Sequence, residues 1–257
     1  AEVATSLNSI AGVYLAWGQY DKAIKNNQQA LAIARRRGNE KAIIVSLNNI
    51  GTAYNFRNQH DKAIENFQEA LAIARRRGNE KAIAESLIDI GQGYEYWDKK
   101  DKAMENFQQA LAIYRKLGNE VGIATSLESI GKVYEYWDKY DKANENYQQA
   151  LAIARRRGNE KAIATSLDSI GNLYKSWGKN DKAIENLQEA LAIHRKLGNK
   201  DGIAFNVDSI GTLYESQDKF DKAIENFQQA LAIYRKLGRK HGIASSFSSI
   251  GRLYNSW

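Results

Sequence analysis

A thirteen-residue phrase, D-K-A-x-x-N-x-Q-x-A-L-A-I, opens at Asp21, Asp61, Asp101, Asp141, Asp181 and Asp221, always forty residues after the previous copy. A period of that size with no insertions is hard to reconcile with an ordinary globular core. Each unit can bury its apolar face only against its neighbours, so the chain must be a stack of supersecondary units. The copies divide it into units 1–40, 41–80, 81–120, 121–160, 161–200 and 201–240, with a last stretch 241–257. No Gly/Ser/Pro-rich stretch or shift of composition interrupts them, and residues 1–257 are expected to form a single array.

Within unit 161–200, Ile163, Leu167, Ile170 and Tyr174 recur at spacings of three and four. That is the stripe of an amphipathic helix, termed helix A below. Ala183, Leu187, Ala190, Leu191 and His194 repeat the pattern in a second helix, B. Asp181 is placed to cap the start of helix B, and Gly198-Asn199 to supply a left-handed stop followed by the cap of the next helix A. The sequence therefore predicts an all-α chain of six A–B pairs plus an unpaired helix A from about His241 to Trp257, thirteen helices in all.

Small residues at Gly171, Ala183 and Ala190 recur at forty-residue intervals and allow helices to approach closely. Together with Leu167, Ile170, Tyr174 and Leu187 they resemble the tetratricopeptide repeat (TPR) pattern, W-x2-L-G-x2-Y followed by A-x3-F-x2-A, in six phased copies. The family's usual Pro is missing and the unit is forty residues long, features similar to the longer TPRs of kinesin light chains, Pins-type scaffolds and bacterial multi-repeat proteins. The resemblance implies a right-handed superhelical solenoid, with helices A lining a concave groove and helices B on the convex side. It implies a protein-protein interaction scaffold that binds a peptide or protein segment, not an enzyme.

Helix B scarcely changes from copy to copy, whereas helix A varies most at the positions that the resemblance places on the groove. One series reads Thr5, Val45, Glu85, Thr125, Thr165, Phe205, Ser245; another reads Asn8, Asn48, Ile88, Glu128, Asp168, Asp208, Ser248. Variation confined to one face reflects either selection for a ligand or drift where packing does not constrain; exposed helix B positions such as Lys22, Asn26 and Gln28 barely drift, which favours the ligand. The expected peptide-binding face takes Asn48, Asn49, Thr52, Asn55 and Phe56 from unit two, and Glu85, Asp89, Gln92, Glu95 and Tyr96 from unit three. Unit four adds Glu128, Lys132, Glu135 and Tyr136; unit five adds Asp168, Asn172 and Lys175; unit six adds Phe205, Asp208, Thr212 and Glu215. Its middle is acidic with rings alongside, which suits a basic or mixed-charge, partly apolar segment held across units three to six. Asn49 or Asn172 could meet the Asn elements of the carboxylate clamp by which some TPRs grip an acidic C-terminal peptide. The Lys and Arg elements are replaced by Thr, Ser, Asn or acidic residues, which argues against that mode.

A second comparison concerns packing. Helix B carries Ala34, Ala74, Tyr114, Ala154, His194 and Tyr234 at one position, and the next helix A starts with Ala42, Ala82, Gly122, Ala162, Gly202 and Gly242. Every ring precedes Gly and every Ala precedes Ala, which predicts a contact of fixed volume across the B-to-A turn.

The formal charge of +7 concentrates at the ends of helices B, for example Arg35 to Arg37 and Arg155 to Arg157. Cations complement a helix C-terminus, and Glu40, Glu80, Glu120 and Glu160 lie near them. The alternative is a polyanion- or nucleic-acid-binding rim, strongest where Lys200, Arg239, Lys240 and His241 replace the acidic partners, although few aromatics interleave there. A third reading is a purely structural spacer.

Trp17, Trp97, Trp137, Trp177 and Trp257 end helices A, where loop packing is the expected role. His60, His194 and His241 fall at unrelated positions and there is no cysteine, so the sequence offers no metal, cofactor or nucleophile site. No run approaches the roughly 18 to 20 apolar residues of a membrane span, and a cytoplasmic protein without a membrane partner is expected. Ala11 and Asn27, where later copies have Gly and Phe, Tyr or Leu, are expected to suit a terminal unit facing water. The stripe Ile243, Phe247, Ile250, Tyr254 and Trp257 lacks a covering helix B, which implies either a longer parent chain or end-to-end self-association.

Overall fold

The computed structural model describes residues 2–255, and those residues form thirteen α-helices without a strand. Helix A of successive repeats is α1 (Glu2–Ala16), α3 (Glu40–Phe56), α5 (Glu80–Tyr96), α7 (Glu120–Tyr136), α9 (Glu160–Ser176), α11 (Lys200–Glu215) and α13 (Lys240–Asn255). Helix B is α2 (Tyr20–Arg36), α4 (His60–Arg76), α6 (Lys100–Lys116), α8 (Tyr140–Arg156), α10 (Asn180–Lys196) and α12 (Phe220–Leu237). The expected Trp257 at the end of α13 lies outside the described residues.

Two kinds of turn alternate. Between B and A, Gly38, Gly78, Gly118, Gly158, Gly198 and Gly238 take positive φ, ending helix B in the left-handed conformation. The following Asn39, Asn79, Asn119, Asn159 and Asn199 then cap helix A, each side chain accepting the N–H three residues on at 3.0 to 3.1 Å. Between A and B the left-handed residue is Gly18, Asn58, Asp98, Asp138, Gly178 or Asp218. Asn and Asp tolerate this conformation better than other residues with a side chain.

That turn corrects one sequence expectation. Helix B begins one residue before the conserved Asp, and the cap position holds Lys179 in α10, with no side-chain cap hydrogen bond. The chain re-enters the helix directly after left-handed Gly178, which carries Asp181 into the first turn, where its charge faces unpaired N–H groups.

The molecule divides into two compact units, residues 1–133 and 134–257, with the boundary inside α7. In the first, Leu31, Ala34, Ile43, Leu47, Ile50, Ala70 and Ile73 form a buried cluster across α2, α3 and α4. Helices A also pack on one another there, α1 on α3 and α3 on α5. In the second, Leu167, Ile170, Leu187, Leu191, Val207 and Leu213 are the centre of the core.

Glycine is required where a ring crosses a backbone. A Cβ on Gly51 would lie 2.6 Å from Phe67 Cε1, and one on Gly211 would lie 2.9 Å from Phe227 Cε1. Leu187 stands in the same relation to Gly171 at 2.7 Å. In the first repeat the pair is Ala11 with Asn27, and Asn27 is fully buried, not facing water as its polarity suggested. A smaller side chain leaves room for the Ala11 methyl. Asn27 Oδ1 accepts a 3.5 Å bond from Asn49 Nδ2, while its own Nδ2 has no partner.

The predicted B-to-A pairs also touch. A Cβ on Gly202 would fall 2.6 Å from His194 Nδ1, one on Gly242 2.5 Å from Tyr234 Cγ, and one on Gly122 inside the Tyr114 ring's contact distance. Rings and glycines are matched because no methyl fits beneath the ring.

Candidate functional site

Helix A presents the predicted face as three depths. Phe56, Glu85, Gln92, Tyr96, Lys132, Tyr136, Lys175 and Phe205 are exposed. Asn48, Asn49, Thr52, Asp89, Glu95, Glu128, Glu135, Asp168, Asn172, Asp208, Thr212 and Glu215 are half-buried. Asn55 is only 4 % exposed and its Oδ1 lies 3.2 Å from His60 Nδ1, so it belongs to the A-to-B turn and not to an open face.

In the N-terminal unit the rings form a ladder. Phe56 stacks on Tyr20 with centroids 5.6 Å apart and meets Tyr96 edge-on at 6.0 Å. Tyr20, the first residue of a helix B, was not among the residues expected from the sequence. Its series, Tyr20, His60, Lys100, Tyr140, Asn180 and Phe220, varies as much as helix A does and was the available signal.

Several acids expected to meet a ligand have partners within the chain. In the C-terminal unit Asp168 receives Asn206 Nδ2 at 2.8 Å on one oxygen and faces His194 Nε2 at 2.9 Å on the other. Asn199 Oδ1 accepts from Gly202 N–H, so its Nδ2 donates to His194 Nδ1 at 3.1 Å, which fixes the proton of a neutral ring on Nε2, towards Asp168. Asp208 accepts from Ser246 at 3.4 Å. Burial raises its carboxyl above the ordinary range, against the Ser246 bond and the Lys175 charge. Glu215 takes two 2.8 Å bonds from Arg252, and Glu135 accepts the Tyr147 hydroxyl at 3.0 Å. These bonds join one helix A to the next or to its own helix B.

In the N-terminal unit, Asn48 Nδ2 donates to Asp89 Oδ2 at 2.6 Å. Burial, with Glu85 adding to it, pushes the Asp89 carboxyl up to about 7. Glu85 meets Lys81 at 3.7 Å, and both carboxylates line an open cleft of about 420 Å³ with Ile88, Tyr114 and Gly122. Burial and the same two acids push the Tyr114 phenol up to about 12. The series that named Asn48, Glu128 and Asp168 continues through Ile88, which is buried at 7 %, so this position is partly one of packing.

The constancy of helix B has a structural cause. The ammonium groups of Lys22, Lys62, Lys102, Lys142, Lys182 and Lys222 lie 5.4 to 5.7 Å from the ring centroids of Tyr14, Tyr54, Tyr94, Tyr134, Tyr174 and Tyr214. Asn26 and its five equivalents donate to the carbonyl four residues back at 2.7 to 2.8 Å. Neither position is free to drift, so the contrast between helices A and B is weaker support for a ligand than the sequence implied. Trp97 packs between His60 and Tyr94, and Trp177 between Tyr140 and Tyr174, with Lys99 and Lys179 against their faces.

Several cations of the basic rim pair with the acid that opens the preceding helix A. Arg77 pairs with Glu40 at 3.1 Å, Lys116 with Glu80 and Lys196 with Glu160. Where the acids were expected to be lost, Asp201 takes two bonds from Arg239 at 2.8 and 3.1 Å, one position along from Lys200. Among the described residues no three His, Asp or Glu side chains gather as a metal site, and no helix is long and apolar enough to cross a membrane.

Sequence profiles of known families decide the relationship. The profile described as Tetratricopeptide repeat matches residues 2–76, 43–116, 101–156, 122–196 and 203–257. The chain belongs to the tetratricopeptide repeat family. Comparison with curated proteins found no match. Among solved structures, BtubC (BKLC) from P. vanneervenii is similar at 22% identity and TM-score 0.78, over 85% of this TPR chain and 92% of that one. TPR-like repeats described as kinesin light chain from Podosopora anserina align at 21% identity and TM-score 0.60, over 75% and 95%. A Rap protein solved in complex with Competence and Sporulation Factor aligns at 19% identity and TM-score 0.68, over 93% of this chain and 65% of that one. At these identities the likeness is one of fold, an all-α TPR solenoid.

Proposed function

We propose that this TPR chain is a protein-interaction scaffold whose helix A face receives a segment of a partner protein. The observation that carries the reading is the exposed ladder of Phe56 and Tyr96, 47 % and 58 % accessible and in mutual contact, with the acidic pair Glu85 and Asp89 further along the same α5. Rigid rings lose little conformational entropy on binding and give a segment apolar anchors, while fixed carboxylates select its charge. The Rap protein's complex with Competence and Sporulation Factor shows that a TPR-like stack of similar fold can hold such a factor. The partner expected here is basic or mixed in charge and partly apolar.

The test is a random peptide library displayed against the whole chain. Peptides selected on the unaltered protein should lose at least about tenfold in affinity on a Phe56→Ser/Tyr96→Ser variant, since central aromatic anchors are each worth about 2 kcal/mol or more. Neither ring is in the core, so circular dichroism should be unchanged, and the unfolding midpoint should fall only by the loss of the Tyr20–Phe56–Tyr96 ring contacts. Selected peptides that bind the variant equally well would remove this face from consideration.

A further inference from the structure

We propose that the cleft between α5 and the α6–α7 turn is the cation-anchoring subsite of the helix A face, and that it takes the guanidinium group of an arginine on the partner segment. The inference rests on the binding-face reading above and specifies its chemistry.

The cleft has one acidic wall, and Tyr114, only 5 % exposed, closes its floor. Glu85 and Asp89, four residues apart on α5, lie one above the other on the same helix face. The Tyr114 ring of α6 lines the cleft with them, seated on the bare Cα of Gly122, and cannot withdraw further towards α7. The opening, about 420 Å³, exceeds what a guanidinium group needs.

Charge completes the argument. Among the described residues no Lys or Arg pairs with Asp89, and Glu85 has only exposed Lys81 at 3.7 Å, a surface pair that an incoming cation displaces at little cost. Tyr114 makes no hydrogen bond to either acid, and burial with both acids nearby pushes its phenol up to about 12. The equivalent ring position in the C-terminal unit shows the contrast, because there His194 puts Nε2 2.9 Å from Asp168 and supplies a donor from within the chain. Tyr114 makes no such bond, and the donor that Asp89 has within the chain is the neutral Asn48 amide at 2.6 Å. A guanidinium is planar and carries five donors, so it can bridge the two carboxylates with paired N–H···O bonds, a geometry that an ammonium lacks.

Protonation gives the subsite a signature. With its carboxyl pushed up to about 7, Asp89 is mostly neutral at pH 6 and mostly charged at pH 8. Affinity for a cation is therefore present above pH 7 and lost as pH falls through it, by a factor of up to about ten between pH 8 and pH 6.

The probe is the blocked tripeptide acetyl-Gly-Arg-Gly-amide, set against its citrulline counterpart, which is planar but uncharged. Both are titrated into the whole isotope-labelled chain while the Gly122 and Thr125 amide resonances are followed. The arginine peptide should shift these two resonances, bind about tenfold more tightly at pH 8 than at pH 6, and outcompete citrulline. Asp89→Asn retains an oxygen for the Asn48 bond and should abolish the pH dependence with at least a tenfold loss at pH 8, while Glu225→Gln in α12, outside the cleft, should change nothing. Equal binding of citrulline, a pH-independent affinity in the unaltered protein, or shifts confined to other residues would overturn the subsite. Loss of library peptides on Phe56→Ser/Tyr96→Ser together with failure of the arginine tripeptide here would reject this cleft and leave the broader face standing.

Discussion

Gly122 carries a hydrogen where a methyl would strike the Tyr114 ring, whereas the neighbouring repeats place Ala beside Ala at the same two positions. Gly122→Ala should therefore destabilise by about 1 to 3 kcal/mol despite the roughly 1 kcal/mol better helix propensity of Ala. Adding Tyr114→Ala recreates the Ala74–Ala82 pair and should recover part of the loss. Urea unfolding of the two single variants and the double supplies the non-additive term directly. In the first repeat, Asn27→Phe alone should drive a ring into the Ala11 methyl and destabilise, while Ala11→Gly/Asn27→Phe restores the Gly51–Phe67 arrangement, removes an orphaned Asn27 Nδ2 and should exceed the original stability.

Asp89 makes a pH-dependent contribution whose sign follows from its direction of shift. Folding raises the carboxyl from 3.8 to about 7, so between those values the folded chain holds a proton that the unfolded chain releases. Stability from this group is full at low pH, falls as pH rises towards 7 and is level above it. Asp89→Asn should then raise the thermal midpoint at pH 8 and leave it nearly unchanged at pH 4. A larger gain at pH 4 would contradict this origin.

At the scale of helices, the caps predict which turns matter. Asn159→Ala removes the acceptor for Ala162 N–H and should cost about 1 kcal/mol, whereas Asp181→Asn, in a first turn instead of a cap, should cost only a few tenths. The helices themselves were legible because Leu167, Ile170 and Leu187 repeat with helical spacing, and the ring-to-glycine matches because six copies expose a size correlation. The start of helix B was misplaced by one residue because Asp181 has the chemistry of a cap, while the left-handed Gly178 decides where the backbone turns. Exposure of Phe56, Tyr96, Tyr136 and Phe205 followed from their helix face. The bond from Asn206 to Asp168 did not, since it depends on the offset between stacked helices, which a repeat period does not contain.

Within each of the two units most interhelical contacts join successive helices, as expected of a stack whose energy is a sum over neighbouring pairs. The rim pairs such as Arg35–Glu69 and Arg155–Glu189 are about half exposed, so they should contribute little, and raising salt should leave the unfolding midpoint nearly unchanged. A steep fall would mean that the rim holds the stack together.

Each size-matched pair joins residues close along the chain, eight apart in Tyr114–Gly122, His194–Gly202 and Tyr234–Gly242, sixteen apart in Gly51–Phe67 and Gly211–Phe227. A recombination event that duplicates or deletes forty residues therefore carries nearly every lock and its key together, and makes a mismatch only when its breakpoint falls between the two. The gene can lengthen or shorten by whole repeats without repacking the core, and inherited copies remain free to diverge on the helix A face.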